Sequence, residues 1–136
     1  MTYRRYGRER EPEMVNAKEL YRKAINYEYS DVNKLNKHNT ETIKHFLAKA
    51  TVFYLLRNLK HDVITGFSIE HVGKGDILDL SSRVQYEIET QKSIANINRV
   101  KKKYINAGID LIIIQIRKMP MDIDGMRDYL KEHIRP

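Results

Sequence analysis

Two short segments, GDILDL at residues 75–80 and YEIETQ at residues 86–91, carry the most structural information in this chain. The second alternates apolar and polar side chains with the period of a β-strand, so Glu87, Glu89 and Gln91 should share one face. Burying several carboxylates together is costly unless a cation neutralises them. Because this strand should be central, its acidic face predicts a site of chemistry.

A long helix is predicted before these strands, from Thr40 to about His61, with Asn39 as its N-cap. Its apolar residues form two stripes on nearly opposite sides, which predicts a helix sandwiched between a sheet and another helix. Extending the first stripe toward the N-terminus by steps of three and four leads to His45 and then to Glu41. The first stripe contains Ala48, Val52, Leu55, Leu56 and Leu59, and the second contains Ile43, Phe46, Leu47, Ala50, Phe53 and Tyr54.

The rest of the pattern predicts three strands, a helix, a strand and a helix, in that order. The Leu/Ile run at residues 111–116 is typical of a strand buried on both faces. With the long helix in front, this order predicts an α/β fold with a mixed central sheet flanked by helices. The predicted bounds are strands Val63–Val72, Asp76–Leu80 and Val84–Gln91 with turns at Lys74-Gly75 and Ser81-Ser82-Arg83, a helix from Ser93 to Asn106 ended by Gly108, a strand Asp110–Ile116 and a helix from Asp122 to about His133.

The length of 136 residues fits one main domain. Residues 1–11 are predicted to form a basic flexible arm, because the arginines and tyrosines there show no apolar periodicity. Residues 12–38 are predicted to form an N-terminal helix and a connector. Residues 39–136 then hold the domain that contains both acidic segments.

The composition favours a polyanionic partner, above all nucleic acid. The chain has 25 lysines and arginines against 18 acidic residues, a formal net charge of +7. Cysteine is absent, which excludes disulfide scaffolds, zinc–thiolate sites and thiol nucleophiles. The longest apolar run is far shorter than the roughly 20 residues of a membrane span, and no secretory signal follows the N-terminal arginines. We therefore expect a cytoplasmic protein with no membrane contact.

The acidic residues of the two segments predict a divalent metal site. Asp76 and Glu89 are the first candidates for its ligands, with a backbone carbonyl and waters completing the shell, and Glu87 and Asp79 are further candidates. Oxygen ligands without thiolates favour Mg²⁺ or Mn²⁺. Each acid also has an ordinary explanation, because aspartates beside a turn cap it and glutamates on an edge strand face solvent.

An acid on a long helix, a strand beginning Gly75-Asp76-Ile77, and a strand with Ile88-Glu89-Thr90-Gln91 together resemble the PD-(D/E)XK nuclease superfamily. The closest members are the small archaeal and viral ones, which include Holliday junction resolvases. The resemblance covers residues 39–134 and implies a restriction-endonuclease-like core (αβββαβα), here with an extra N-terminal helix. It also implies a metal-dependent DNA endonuclease, in which the strand acids bind magnesium and a lysine two residues after the glutamate positions the attacking water.

The resemblance carries over to a small set of catalytic candidates. Gln91 stands where the family usually has lysine, and it can orient a water but supplies no charge. Lys49, one turn beyond His45 on the long helix, is the lysine that could supply this charge to the site instead. Glu41 also suits a helix N-terminus, and His45 a hydrogen-bonded core position. The catalytic candidates are Glu41, His45, Lys49, Asp76, Glu89 and Gln91.

The missing lysine leaves a second function open, that of a nucleic-acid-binding protein that keeps the nuclease fold without catalysis. Nucleases of this kind commonly pair, so the resemblance also implies a homodimer, with the long helix and the terminal helix as its candidate interface. DNA contacts are expected from basic residues on the helix after the acidic strand and in the N-terminal arm, although a charge run is also typical of a solvated helix face. These candidates are Arg99, Lys101, Lys102, Lys103, Arg4 and Arg5.

Overall fold

The computed structural model describes residues 32–69, 73–90, 94–106 and 110–136. Within these ranges the chain forms a four-stranded mixed sheet and three helices, so the predicted α/β class with a mixed sheet is confirmed. The predicted arm (residues 1–11) and most of the predicted N-terminal helix and connector lie outside the described residues. The elements are α1 (Ile43–Asn58), β1 (Val63–Ile69), β2 (Gly73–Asp79), β3 (Val84–Glu89), α2 (Ile94–Asn106), β4 (Asp110–Gln115) and α3 (Ile123–Lys131).

The strands lie side by side in the order β1-β2-β3-β4. β1 and β3 are both antiparallel to β2, whereas β4 is parallel to β3 and follows it through α2. A parallel pair needs such a crossover, because the chain must return from the edge where β3 ends to the opposite edge before β4 can start. The carboxyl ends of β3 and β4 and the start of β2 therefore lie at the same edge of the sheet.

Apolar clusters cover both faces of the sheet. On one face, α1 and α3 pack over β3 residues such as Tyr86 and Ile88. On the other face, α2 packs through Tyr104 against β2 and β4. β4 contributes Ile114 to the first cluster and Leu111 to the second, so the prediction of a strand covered on both faces is confirmed.

α1 begins three residues later than the sequence predicted. Its N-cap is Thr42, whose Oγ1 accepts a hydrogen bond of 3.1 Å from the backbone N–H of His45. The prediction that Asn39 is the N-cap was wrong, because the chain before Thr42 forms a turn instead of the first turn of the helix. In that turn the N–H of Glu41 donates to the carbonyl of His38, and the Glu41 side chain accepts from the N–H of His38.

The two apolar stripes of α1 are buried to different degrees. The first stripe lies in the core from Ala48 to Leu56, but Leu59, at the C-cap, is 44% exposed. In the second stripe, Ile43 and Tyr54 are mostly exposed. The sandwich predicted for this helix is therefore only partly formed among the described residues.

β2 includes Lys74 and Gly75, which the sequence predicted as a turn. That prediction was wrong, because Gly75 pairs with Phe67 of β1. A Cβ at residue 75 would lie 2.3 Å from Cζ of the Phe67 ring and 2.7 Å from Nε2 of Gln85. Glycine is therefore required here by the close approach of neighbouring side chains.

Among the described residues, no helix is long and apolar enough to cross a membrane.

Replacing Gly75 with alanine should lower the free energy of unfolding by about 1–3 kcal/mol, because the new methyl group overlaps the buried Phe67 ring. Urea unfolding of Gly75→Ala, Phe67→Leu and the double variant would measure the effect. The smaller leucine should relieve the overlap, so the double variant should lose less stability than the two single variants together. Strictly additive losses would contradict the packing described for Gly75.

Candidate active site

A pocket of about 350 Å³ opens at the edge where β3 ends, β2 starts and α1 begins. Three of the catalytic residues predicted from the sequence line it, namely Glu41, His45 and Asp76. They come from two parts of the chain that the fold brings together. The complete lining is His38, Thr40, Glu41, Thr42, His45, Gly75, Asp76 and Thr90.

Glu41 holds two basic side chains that follow it at successive helical turns. Its Oε1 accepts a hydrogen bond of 2.9 Å from Nζ of Lys49, and both side chains are almost completely buried. Its Oε2 pairs with Nδ1 of His45. Burial acts to raise the pKa of Glu41, but the hydrogen bonds from Lys49 and His45 outweigh it and hold that pKa below its usual value. Glu41 is therefore ionised and fixes His45 in one orientation.

The other ring nitrogen of His45 faces the strands. Nε2 donates to the carbonyl of Ile88 at 3.0 Å and lies 3.4 Å from Oδ2 of Asp76. The hydrogen bond to Asp76 is the largest influence on His45 and raises its pKa to about 9, although burial opposes the shift. His45 is therefore an imidazolium at neutral pH, held between two carboxylates.

Asp76 lies where β2 separates from β3. The ladder between these strands pairs Ile77 with Tyr86 and does not extend to Asp76. Side chains bridge the gap, because Oδ2 of Asp76 accepts from the N–H of Ile88 at 2.8 Å and the N–H of Asp76 donates to Oε1 of Glu87 at 3.1 Å. Burial acts to raise the pKa of Asp76, but His45 and the Ile88 N–H lower it overall, so Asp76 is ionised.

The backbone of β1 contributes to this local shape. Gly66 lies between the paired residues Thr65 and Phe67, opposite Asp76, and its φ of 62° falls in the left-handed region. Side chains rarely tolerate that conformation, whereas glycine adopts it readily. The regular pairing of β1 with β2 is therefore also interrupted at Asp76.

Glu87 is the second carboxyl group beside Asp76. Burial, followed by the negative charge of Asp76, raises the pKa of Glu87 to about 8, so this group keeps its proton at neutral pH. The amide of Gln85 donates to Glu87 and, at 2.9 Å, to the hydroxyl of Tyr104 on α2. Within the described residues, Oε1 of the fully buried Gln85 has no hydrogen-bond partner. A buried polar network thus runs from the pocket to the other face of the sheet.

The structure brings Glu87, rather than Glu89, beside Asp76. Glu89 is half-buried at the end of β3, pairs in register with Gln115, and does not line the pocket. Strand alternation places both glutamates on the side opposite Ile88, which packs under α1, so the contact of Glu87 with the N–H of Asp76 is what distinguishes the two. The sequence analysis preferred Glu89 to Glu87 as a ligand, because nothing in the sequence shows where β2 leaves β3.

Asp79 lies at the far end of β2 and has a different set of partners. Its fully buried carboxylate accepts hydrogen bonds from the N–H groups of Ser81 and Ser82, from the Ser82 hydroxyl, and from Nδ1 of His61 at 2.6 Å. These bonds close the predicted turn at residues 81–83 and tie the end of α1 to it. The contact with His61 was not predicted from the sequence, in which 18 residues separate the two.

The remaining candidates lie away from the pocket or outside the described part of the chain. Arg99, Lys101 and Lys102 are exposed on α2, which covers the opposite face of the sheet from α1. The structure does not describe Arg4, Arg5, Gln91 or the side chain of Lys103. Within the described ranges, no group of three or more histidine, aspartate and glutamate side chains is arranged to hold a metal ion.

In comparisons with known proteins, no family model, no curated protein and no solved structure matches this chain.

Removing the charge of Lys49 should destabilise the protein strongly. Lys49→Met leaves the buried Glu41 carboxylate without its ammonium partner, which should cost about 3–5 kcal/mol of unfolding free energy. Urea unfolding would measure this, with Lys131→Met, which removes an exposed lysine from α3, as the matched control. Adding Glu41→Gln should recover part of the loss, and no recovery would contradict the pairing.

The stability should fall as the pH rises, for two reasons. The raised pKa of Glu87 makes its contribution complete below pH 4.5 and lost by about pH 8, and that of His45 is complete below pH 6.5 and lost by about pH 9. Glu87→Gln should therefore remove the decline between pH 4.5 and 6.5 and make the decline above pH 6.5 shallower, because only the His45 contribution remains there. Unfolding free energies across this range would test the assignment, with exposed Glu132→Gln as the control. A decline in Glu87→Gln equal to that of the wild type would refute it.

Proposed function

We propose that this chain is a metal-dependent nuclease that hydrolyses phosphodiester bonds in DNA at the pocket lined by Asp76 and His45. One observation carries the proposal. Two carboxyl groups from neighbouring strands, those of Asp76 on β2 and Glu87 on β3, lie beside each other where the strands separate, and Asp76 lines the pocket. The net charge of +7 supports a polyanionic substrate.

The order of elements supports a restriction-endonuclease-like core of the PD-(D/E)XK type. A helix, three antiparallel strands, a crossover helix, a parallel strand and a final helix follow one another in the described residues. The pocket then lies where α1 meets the acidic ends of β2 and β3. We propose Asp76 as the first strand acid and Glu87, which contacts Asp76, as the second in place of Glu89. With this choice Glu89, rather than Gln91, stands two residues after the second acid.

Carboxylate and carbonyl oxygens are the ligands that small divalent cations such as Mg²⁺ prefer in proteins. Asp76 and Glu87 are so close that the charge of Asp76 helps to keep Glu87 protonated, and a cation relieves that repulsion in place of the proton. Mg²⁺ keeps several waters and binds proteins through one or two carboxylates, so the two acids and the Ile88 carbonyl suffice. When bound, Mg²⁺ or Mn²⁺ supplies Lewis acidity and lowers the pKa of a bound water.

The helix side chains supply positive charge next to this point. His45 lines the pocket as an imidazolium, so it can stabilise negative charge on a phosphate oxygen or give a proton to a leaving oxygen. Glu41 orients His45 through Nδ1, and Lys49 orients Glu41. Lys49 is therefore a positioning residue, buried behind the pocket.

A second function is favoured by one specific contact. Nε2 of His45 is bound to the Ile88 carbonyl and lies 3.4 Å from Asp76, the same oxygen atoms that a metal would use. Because the imidazolium of His45 already neutralises the negative charge at these oxygens, no metal ion is needed there, as expected of a protein that binds nucleic acid without cutting it. The two functions differ in whether a divalent metal binds at Asp76.

Cleavage of labelled DNA tests the proposal. Linear duplex, single-stranded and four-way-junction DNA should be cut with Mg²⁺ or Mn²⁺ and left intact with EDTA. Asp76→Asn should reduce cutting to the EDTA level, Glu87→Gln should impair it more than Glu89→Gln, and exposed Glu132→Gln should cut like the wild type. The metal should also raise the melting temperature of the wild type but not of Asp76→Asn. Binding without metal-dependent cutting or stabilisation would favour the non-catalytic function.

A further inference from the structure

We propose that the edge of the sheet around the pocket binds DNA with unpaired bases. In this arrangement, basic side chains of the edge hold phosphates and exposed apolar side chains contact the bases. The inference rests on the proposed nuclease function and names the substrate class of the same site. We call this surface the pocket edge: Lys37, Lys44, Arg117 and Lys118 are its basic side chains, and Ile43, Met121 and Ile123 are its apolar ones.

The topology places these residues on one edge. Since β3 and β4 are parallel and pair Glu89 with Gln115, their carboxyl ends lie together. Thr90, directly after β3, lines the pocket, and the chain after β4 continues through residues 117–118 to the start of α3. Nζ of Lys44 on the first turn of α1 donates to the carbonyl of Arg117 at 3.1 Å, which ties the pocket side of α1 to this connection.

The basic side chains of the pocket edge carry an excess of positive charge. Nζ of Lys37 donates to the carbonyls of His38 and Glu41 at 3.3 and 3.4 Å, which places this exposed ammonium group at the mouth of the pocket. Arg117 and Lys118 are also exposed, and Lys44 is half-buried.

The acidic groups nearby have partners within the protein. Glu41 pairs with Lys49 and His45, Asp122 accepts from the N–H of Gly125 as the N-cap of α3, and Asp124 lies 3.5 Å from Arg127. The four basic side chains of the pocket edge are therefore the groups that we infer to contact the phosphates of one strand.

The apolar side chains are what distinguish unpaired from paired DNA. Ile43 is 64% exposed, Met121 46% and Ile123 80%, and all three follow or precede basic residues of the same edge by a few positions. A regular duplex presents phosphates outward and stacks its bases inside. Unpaired bases expose their apolar faces, which exposed apolar side chains such as those of isoleucine and methionine can cover. A mixed basic and apolar edge therefore fits a frayed, forked or single strand better than an intact duplex.

The basic residues of α2 are the alternative DNA surface and provide the control. Arg99, Lys101 and Lys102 lie on the helix that packs on the opposite face of the sheet from α1. Among those α2 side chains whose exposure the structure describes, no large apolar one is exposed. Charge on α2 would attract any DNA, whereas the pocket edge should discriminate by base pairing.

Binding without cleavage separates this inference from the nuclease function. Fluorescence anisotropy with single-stranded, forked and fully paired DNA in Ca²⁺ and EDTA would give affinities at several salt concentrations. The wild type should prefer the forked and single-stranded forms. Ile43→Ala/Ile123→Ala should weaken binding to these forms by about tenfold and leave duplex binding unchanged. Lys37→Gln/Lys118→Gln should reduce the salt slope on single strands by about 1.4, the value for two phosphate contacts.

Two matched variants serve as controls. Lys101→Gln/Lys102→Gln removes the same charge from α2, and Tyr54→Ala removes an exposed apolar side chain from the other end of α1; both should keep the preference for unpaired DNA. The inference is overturned if the wild type prefers duplex DNA, or if the α2 variant rather than the pocket-edge variants loses affinity. It is also overturned if Ile43→Ala/Ile123→Ala leaves DNA binding unchanged and alters only the protein's mass in sedimentation, because the apolar side chains would then serve self-association. Metal-dependent cutting without a preference for unpaired DNA would support the nuclease function and reject this inference. A preference for unpaired DNA without cutting would support this inference and reject the nuclease function.

Discussion

The pocket depends on the shared carboxylate of Glu41. One of its oxygens accepts from the buried ammonium of Lys49 and the other pairs with His45, which in turn reaches Asp76 on the sheet. A buried charge without a partner costs several kcal/mol, so each of these groups keeps its neighbour in place. The alternation of cation and anion along this chain of contacts fixes the start of α1 against β2 and β3.

The separation of β2 from β3 is what places carboxyl groups of the sheet within reach of His45. An intact ladder would use the Ile88 N–H and the Asp76 N–H in strand pairing, and both are instead bound by side chains. Two carboxyl groups are thereby held in a space that favours only one negative charge, which is why the pKa of Glu87 is raised to about 8 and that of Asp76 lowered. The imidazolium of His45 supplies the compensating charge in the protein alone.

The same electrostatics connect the proposed nuclease function to its non-catalytic alternative. Both use a place where oxygen atoms of the sheet require a positive charge beside a basic surface, and they differ in whether a proton on His45 or a divalent ion provides it. The polar network of Gln85 and Tyr104 links these oxygen atoms to the other face of the sheet, because Gln85 donates hydrogen bonds both to the protonated Glu87 and to Tyr104. The pocket edge adds binding surface without altering that balance.

The sequence by itself determined the class of fold and half of the pocket. Period 3.6 followed by period 2 placed the helices and strands, because local geometry alone sets both periods. Helical spacing also placed Glu41, His45 and Lys49 on one side of the predicted helix, although Glu41 lies in the turn before α1. Only the tertiary structure decided that Glu87 and not Glu89 meets Asp76, that Asp79 binds His61 instead, and that Gly75 belongs to a strand. Those outcomes depend on strand register, on the break in the ladder at Asp76 and on the position of the Phe67 ring, which are contacts between residues far apart in the chain.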